Sequence, residues 1–319
     1  MRVLIIGARH PWRMEAAVQR ALQRQGHEVR LFDDRRSRRQ VGFRLTQWRV
    51  QQLHARFRPD FLVLSKCHGL ALDTVAGLIR DVPNAMWYHD PQWHSAIQRP
   101  DIAHIAAVGR LAQVFFVTGF VEAWQAHIPS ARFLPAAGAR EIVPVPPEPR
   151  AAATVSFVGS GYDAIRAQFL LALSQQVQVR VWGPGWEPWR TQLAWNGGVV
   201  EHTAFAQVCA SAVCTLGILP ANASGATTYA SDRLWMTLLA GGCYLGPWAP
   251  GLDLLLHEAV HCLWYRDLET CVQQVAWATR HAAERRRICQ QGEAFAREHH
   301  TYDARLPFLL SGHAWVNPL

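Results

Sequence analysis

The sequence predicts an α/β protein built from two doubly wound domains in tandem. Short all-apolar runs alternate with longer segments of helical periodicity in both halves of the chain, which is typical of parallel sheets covered by helices. A proline-rich segment, Val143–Pro149, separates the halves, and the alternation starts again after it. We therefore expect residues 1–150 and 151–300 to form one domain each, with a tail over 301–319 that can pack back on the first domain.

The first half opens with a β-α-β unit. Val3–Ile6 is an all-apolar strand, Glu15–Gln25 is a helix, and His27–Phe32 is the second strand. The first turn lacks the Gly-x-Gly-x-x-Gly pattern of dinucleotide sites, which disfavours a nicotinamide-dependent oxidoreductase. The remaining elements are a basic helix at about 44–57, a strand at 61–65, a helix at 71–80, strands at 85–88 and 114–118, a helix at 120–127 and a strand at 132–135.

The second half repeats this pattern. Its first strand, Thr154–Val158, runs into the turn Gly159–Gly161. Further along, Ser231–Gly246 reads as a capped helix that leads into a short buried strand, with Ser231 suited to the N-cap. The other elements are helices at 163–173, 188–194, 205–210, 268–279 and 283–298, strands at 177–182, 199–201, 213–216 and 262–265, and a loop of small residues at 217–228.

Composition excludes several classes of protein. Half of the 319 residues are hydrophobic, enough for a large core, yet no apolar run reaches the roughly 18 residues that cross a bilayer. The N-terminal apolar run is too short for a signal peptide. The seven cysteines include no Cys-x-x-Cys pair, so neither a zinc site nor a disulfide framework is indicated. We expect a cytoplasmic protein, with attachment to the surface of a membrane left open.

The formal net charge is +8, and arginine supplies nearly all of the positive charge. Arginines crowd one segment of the first half, where they could face an anionic acceptor, an acidic membrane surface or nucleic acid. A solvated helix face is the alternative interpretation. The residues at the centre of this segment are Arg35, Arg36, Arg38 and Arg39.

Several motifs, taken in order, resemble the CgeB-like (spore-maturation-protein) family, a branch of the GT-B glycosyltransferases. The resemblance covers most of the chain, and the order and spacing of the motifs carry it. The resembling pieces are 157–160 with Arg166 downstream, 181–186, 231–235, 239–245, 264–269 and 300–305 in the second half, with 26–29, 58–60 and 87–90 in the first.

The resemblance implies a GT-B fold, in which two Rossmann-like domains face a central cleft. The second domain, of the family 1 type, would bind a nucleotide-diphosphate sugar, with a UDP-sugar favoured. No cofactor and no bound metal would be needed, since helix N-termini and arginines stabilise the diphosphate. The acceptor hydroxyl would belong to a surface glycan, a lipid carrier, a metabolite or a modified DNA base.

The donor site has candidates of three kinds. A glycine-rich turn lets backbone approach phosphate, arginines hold the diphosphate, and aromatic rings stack on the base. A plain turn, a surface ion pair and buried core rings are the respective structural alternatives. The candidates are Gly159, Ser160, Arg166, Trp182, Gly183, Arg233 and Trp235.

A base for the acceptor hydroxyl is expected from the first domain, unless transfer is retaining. Asp90 is the first choice because it follows a strand, at the sheet edge where α/β proteins bind ligands. His89 is adjacent, and His10 lies in the first loop, where several inverting GT-B enzymes hold a histidine. Lys66 and His68 follow another strand and are candidates for binding the acceptor.

One position departs from the family pattern. Members usually carry a glutamate directly after the aromatic residue of the Arg-x-aromatic motif, and this chain has Met236 there. Related enzymes place that glutamate on the donor. A different donor is one consequence, and a catalytically degenerate nucleotide-sugar-binding or scaffold protein is the other.

Overall fold

The computed structural model describes residues 1–90, 100–198, 200–219 and 227–319, and this part of the chain divides into two compact units. The first comprises Met1–Pro135 and Tyr302–Val316, and the second comprises Ala136–Thr301 and Asn317–Leu319. Each unit holds a six-stranded parallel sheet covered by helices. The predicted pair of doubly wound, Rossmann-like domains is confirmed.

The first sheet has the strand order β2-β1-β3-β4-β5-β6. Chain direction across the sheet changes between β1 and β3, and their carboxyl ends carry Gly7 and Ser65 side by side. Every residue of the central strands β3 and β4 is buried because helices cover both faces, whereas the edge strands β2 and β6 keep exposed residues. The strands are β1 (Arg2–Ile6), β2 (Glu28–Phe32), β3 (Phe61–Leu64), β4 (Asn84–Tyr88), β5 (Val114–Val117) and β6 (Ala131–Phe133).

One helix of the first unit is longer than the sequence predicts. The predicted basic helix begins ten residues earlier, because Asp33 caps it by accepting a hydrogen bond from the Arg36 amide. Gly42, at φ 79°, bends it into two arms. The helices are α1 (Met14–Arg24), α2 (Asp34–Phe57), α3 (Leu72–Ile79), α4 (Pro100–Leu111), α5 (Val121–Gln125) and α11 (Tyr302–Ser311). Helix α4 is not among the elements expected from the sequence, although the proline at its first position is a common helix start.

The second sheet has the order β12-β11-β10-β7-β8-β9. Its chain direction changes between β7 and β10, which are paired in parallel. The strands are β7 (Ala153–Val158), β8 (Val179–Trp182), β9 (Ala194–Trp195), β10 (Ala212–Leu216), β11 (Tyr244–Pro247) and β12 (Leu263–Tyr265). The helices are α6 (Ala164–Ser174), α7 (His202–Ser211), α8 (Asp232–Leu239), α9 (Leu268–Arg280) and α10 (Ala282–His299).

Two predicted elements near β9 are wrong. The predicted helix at 188–194 is a single 3-10 turn at Glu187–Trp189, and the predicted edge strand at 199–201 lies instead at Ala194–Trp195. Val200 and Glu201 are loop, and residue 199 lies outside the described residues. The Trp195 amide donates a hydrogen bond to the Leu193 carbonyl, and the Trp195 indole N–H donates to the Gly183 carbonyl. These two contacts fix the edge strand at Ala194–Trp195.

The chain enters the second unit earlier than the predicted boundary near residue 150. The Gly138 amide donates to the His300 carbonyl, and the Arg297 guanidinium donates to the carbonyl of Ile142, so 136–150 is held by α10 and its end. Residues 302–316 belong to the first unit, where Arg24 pairs with Asp303 at 2.6 Å. No helix within the described ranges is long and apolar enough to cross a membrane.

Candidate functional site

The change of chain direction between β7 and β10 brings the donor-site candidates of the second unit together. Parallel α/β sheets bind ligands at the carboxyl ends of their strands where the strand order reverses. The turn after β7, the end of β10 and the first turn of α8 meet there. Of the predicted donor residues, Gly159, Ser160, Arg166 and Arg233 lie in this region.

The turns after β7 and β8 pack backbone against backbone. The Gly159 amide donates to the Trp182 carbonyl at 2.9 Å, and a side chain on Gly183, which has φ +126°, would overlap the carbonyl oxygen of Gly159. Trp186 donates its indole N–H to the same oxygen at 2.8 Å. Gly183 and Trp186 therefore shape the turn, and only glycine fits at position 183.

Arg166 is a buried arginine on α6, with 7% of its surface exposed. Its Nη1 atom donates to the Ser160 carbonyl at 2.9 Å, and its Nη2 atom lies 3.4 Å from the Ile218 carbonyl oxygen. Burial, followed by the charge of Arg233, lowers its pKa to about 10. It therefore stays protonated at neutral pH and holds the ends of β7 and β10 together.

Arg233 lies in the first turn of α8 and is half-buried. Its Nε atom donates to the Val158 carbonyl at 2.5 Å, and its guanidinium lies 4.7 Å from the centre of the Phe157 ring. The Arg166 guanidinium lies 5.5 Å from the centre of the same ring. Two cations thus share one aromatic residue at the end of β7.

Neither of these two cations is paired directly with a carboxylate of the described residues, although the nearby charge of Asp163 acts to raise the pKa of Arg166. In the described part of the chain, neither guanidinium forms an ion pair. Asp163 caps α6 by accepting from the amides of Ile165 and Arg166, so that helix end is already satisfied. The positive charges of Arg166 and Arg233 repel each other, and this repulsion contributes to the lowered pKa of Arg166. A dianionic ligand would relieve the repulsion and gain a charge-assisted contact with each guanidinium. The arrangement suits a diphosphate.

The predicted contacts of two tryptophans with the donor are wrong. Trp235 is fully buried, and its ring stacks on His300 at a centroid distance of 3.9 Å. Trp182 is 5% exposed and ends β8 inside the unit. Trp182 lies on β8 and Trp235 lies on α8, and both rings are buried inside the unit, as is common for large aromatic side chains.

The first unit places its candidates at the ends of β3 and β4. Lys66 and Asp90 form an ion pair between these adjacent strands, and both side chains are partly exposed. From the sequence, Lys66 is expected to bind the acceptor and Asp90 to act as the base. In the structure these two side chains form one ion pair. His10 is exposed in the loop after β1, with its ring 5.9 Å from that of Trp12.

His89 and His68 have environments that make both poor bases. The ring nitrogens of His89 are buried, its ring lies 4.2 Å from that of Trp87, and burial lowers its pKa to about 3. Burial likewise lowers the pKa of His68 to about 4, with the charge of Arg35 contributing. The proposal of His89 as the catalytic base is therefore corrected, because an imidazole with this pKa holds a proton too weakly.

A small cavity of about 60 Å³ lies at the reversal of strand order in the first sheet. Its lining includes Lys66, His68 and two largely buried carboxylates, Glu15 and Asp34. Asp34 accepts a 2.6 Å hydrogen bond from the Gly69 amide, and burial raises its pKa. Glu15 accepts from the Ala8 amide at 3.2 Å. Both carboxylates thus brace loops of the sheet edge.

Comparison with known proteins bears on the family of the second half and on the fold of the whole chain. Residues 166–311 match the glycosyl transferase-like family model. The chain is similar in structure to sucrose-phosphate synthase from Thermosynechococcus elongatus, with a TM-score of 0.72, 12% identity and 98% of each chain covered. The chain as a whole therefore has the GT-B fold, and residues 166–311 are similar to a glycosyl transferase-like domain.

Other similar structures include a complex with UDP-glucose and a DNA-modifying glucosyltransferase. HepE from Anabaena, solved with UDP-glucose, gives a TM-score of 0.68 at 12% identity over 98% of this chain and 100% of that one. The DNA-modifying enzyme β-glucosyltransferase gives 0.63 at 10% identity over 98% of each chain. At these identities the likeness concerns the fold. No curated protein matches the chain in sequence.

The predicted GT-B fold is thus confirmed, the match over residues 166–311 agrees with the predicted glycosyltransferase, and the assignment to the CgeB-like branch stays a prediction. The family match includes Arg166 and Arg233 and begins after Gly159 and Ser160. The roles of the individual site residues remain predictions that follow from their geometry.

Two features of the second unit are recognised only from the structure. Tyr162 is 77% exposed, and its ring covers Gly185 at the mouth of the turn after β7, where a base could stack. The sequence signal was an aromatic residue directly after Gly-Ser-Gly. Met236 lies one helical turn after Arg233 and is only partly buried, unlike its buried neighbours on α8. The departure from the family pattern is therefore on the same face as the candidate phosphate ligand.

Proposed function

We propose that this protein transfers a sugar from a nucleotide-diphosphate sugar, with a UDP-sugar favoured, to the hydroxyl of an acceptor. The observation that carries the proposal is the pair Arg166 and Arg233, which converge beside Phe157 at the reversal of strand order. Similar folds solved with UDP or UDP-glucose support a donor whose nucleotide is UDP.

In the proposed reaction the bond between the anomeric carbon and the diphosphate oxygen breaks, and the acceptor oxygen bonds to that carbon. The leaving diphosphate gains negative charge in the transition state, and two fixed guanidiniums stabilise it most at that stage. This is how the chain would carry out the transfer with no bound metal. The acceptor proton goes to a base in an inverting reaction, and Asp90 is our candidate for it.

The acceptor belongs to one of the classes named above: a surface glycan, a lipid carrier, a metabolite or a modified DNA base. We propose that it is anionic or presented on an anionic surface, because the segment with Arg35, Arg36, Arg38 and Arg39 is exposed at all four arginines. Their charge would raise the local concentration of such a partner.

The experiment that tests the donor is a thermal-shift screen with UDP, GDP, dTDP, ADP and CMP and their sugars, in buffer with EDTA. A ligand that binds only the folded state raises the melting temperature. We expect a shift with uridine nucleotides that is lost in Arg233→Ala and kept in Arg286→Ala, which removes an exposed arginine of α10. Absence of any shift in the unaltered protein would refute the proposal, and a shift that needs added Mg²⁺ would refute the metal-free part.

A second candidate function is nucleotide-sugar binding without turnover, and the partly buried Met236, one helical turn after Arg233 in place of the family glutamate, favours it. The two candidates differ in one measurement. Release of UDP from a bound UDP-sugar over time, with acceptor extracts or with water, indicates a transferase. Saturable binding with no UDP release under any of these conditions assigns the binding function instead.

A further inference from the structure

We infer that the second arm of α2 docks on a bilayer that carries anionic phosphate headgroups. The surface, called here the α2 face, consists of Leu45 and Trp48 with Arg44 and Arg49 beside them. Leu45 and Trp48 are each 54% exposed, and they are three residues apart, so they share one side of the helix. Arg44 precedes Trp48 by four residues and Arg49 follows Leu45 by four, which places a cation on each flank.

The opposite side of this arm anchors it to the first unit. Thr46, Val50 and Phe57 are buried. The Thr46 hydroxyl bonds to that of Ser37 at 3.0 Å across the bend at Gly42. The exposed side chains are therefore held outward by fixed packing on the other side of the helix, and a docking face is present before any partner arrives.

A groove beside the α2 face offers room for a headgroup. Its volume is about 340 Å³, and it lies between the first arm of α2 and the end of β2. Arg9, Arg36 and Arg49 line it, together with Ser37 and Gln40. Arg49 thus belongs both to the groove and to the flank of the apolar residues.

The charge of the groove and of the helix fits an anionic partner. Asp33 is the carboxylate in the groove, and it accepts hydrogen bonds from the backbone amides of Arg9 and Arg36. Within the described residues, no ion pair neutralises Arg36 or Arg49. The helix as a whole carries seven arginines and one acidic residue, the buried Asp34.

The apolar centre of the α2 face favours a bilayer over a nucleic acid. A helix with aromatic and aliphatic residues between cations lies in the headgroup region, where the apolar side chains insert and the cations meet phosphates. A surface that binds duplex DNA places cations and polar groups at its centre, since most of its contacts go to phosphate. Leu45 and Trp48 occupy that centre here. Together with the proposed function, on which this step rests, a docked bilayer would present a lipid-linked or membrane-bound acceptor.

The test is cosedimentation of the full chain with phosphatidylcholine vesicles, with and without phosphatidylglycerol, and with a DNA duplex in a parallel arm. We expect salt-sensitive binding to the anionic vesicles only. The double variant Arg44→Gln/Arg49→Gln should bind about 25-fold more weakly, from a factor of about five for each arginine. Leu45→Ser/Trp48→Ser should bind at least about tenfold more weakly, because two inserted apolar side chains are lost.

Matched controls come from the second unit. Leu254→Ser changes a leucine that is 53% exposed, nearly the same as Leu45, and Arg286→Gln removes an exposed arginine. Both should bind vesicles as the unaltered protein does. The inference is overturned by absence of vesicle binding, by equal binding to neutral vesicles, by unchanged binding of the Leu45→Ser/Trp48→Ser variant, or by binding to the duplex alone. The vesicle assay contains no nucleotide, so its result does not depend on the donor screen. Failure of the proposed function and failure of the docking inference can therefore be told apart.

Discussion

Gly159 gives the sharpest test of the donor site, because a single methyl group there would meet Arg233. A Cβ atom at this position lies 2.5 Å from Arg233 Nη2 and 3.0 Å from the Phe157 ring. Ordinary contact needs about 3.5 Å, so Gly159→Ala requires the guanidinium to move by about 1 Å. We expect this substitution to impair donor binding more than folding.

The magnitude follows from the contact that the movement breaks. Arg233 Nε donates to the Val158 carbonyl at 2.5 Å, and a shift of about 1 Å takes that bond to the limit of a hydrogen bond. Hydrogen bonds of charged groups contribute about 1.5–3 kcal/mol, so the free energy of unfolding should fall by about that much or less. The melting temperature should then fall by roughly 3–10 °C. Loss of one guanidinium from the diphosphate should weaken UDP binding about 10- to 100-fold.

Calorimetric titration with UDP and thermal unfolding measure the two effects separately. Gly198→Ala is the control for a glycine-to-alanine change, since nothing lies within 4 Å of its Cβ position and its φ is not in the left-handed region. It should leave UDP affinity unchanged. If Gly159→Ala binds UDP as tightly as the unaltered protein, Arg233 does not hold the diphosphate, and the reasoning is refuted.

Gly183→Ala, in contrast to Gly159→Ala, should impair folding more than UDP binding. Its φ of +126° disfavours any side chain, and the added Cβ meets the backbone of Gly159, which cannot swing aside. We expect a loss of more than about 4 kcal/mol of unfolding free energy, so that little folded protein is recovered. Gly197→Ala, at φ +101° with open space around it, isolates the conformational part and should cost about 1–2 kcal/mol. Equal losses for the two variants would contradict the backbone clash.

Three further predictions address other residues. Met236→Glu restores the family pattern beside Arg233, and we expect a changed order of preference among UDP-sugars in a competition assay; an unchanged order would place position 236 away from the sugar. Burial lowers the pKa of His89 to about 3, so the unfolded chain binds the extra proton first as pH falls below about 6.5, and unfolding free energy should decrease from there toward pH 3. His89→Phe should flatten that decrease in thermal unfolding measured against pH, whereas an unchanged profile would assign the acid sensitivity to other groups. Asp90→Asn should lower kcat by about 10²- to 10⁴-fold with UDP affinity unchanged, and normal turnover would exclude Asp90 as the base.

Local sequence patterns were sufficient to predict most of the fold. Apolar runs such as Val3–Ile6 and Phe61–Leu64 became strands because each is short, continuous and bounded by turn residues. Periodicity located α9 and α10 within about two residues. The failures lie where local signals are weak: the edge strand at Ala194–Trp195 is positioned by indole and backbone contacts, which a two-residue pattern does not carry.

The sequence by itself determined which residue types were available at the strand ends, including Gly159, Arg166 and Arg233. Tertiary structure decided which of them meet. Arg166 and Arg233 are 67 positions apart in the printed chain, and only the parallel pairing of β7 with β10 brings both to Phe157. The same packing removes Trp182 and Trp235 from any ligand and exposes Tyr162. Burial depends on the sheet and helices assembled around a side chain, and that assembly is not encoded in the residue or its neighbours in sequence.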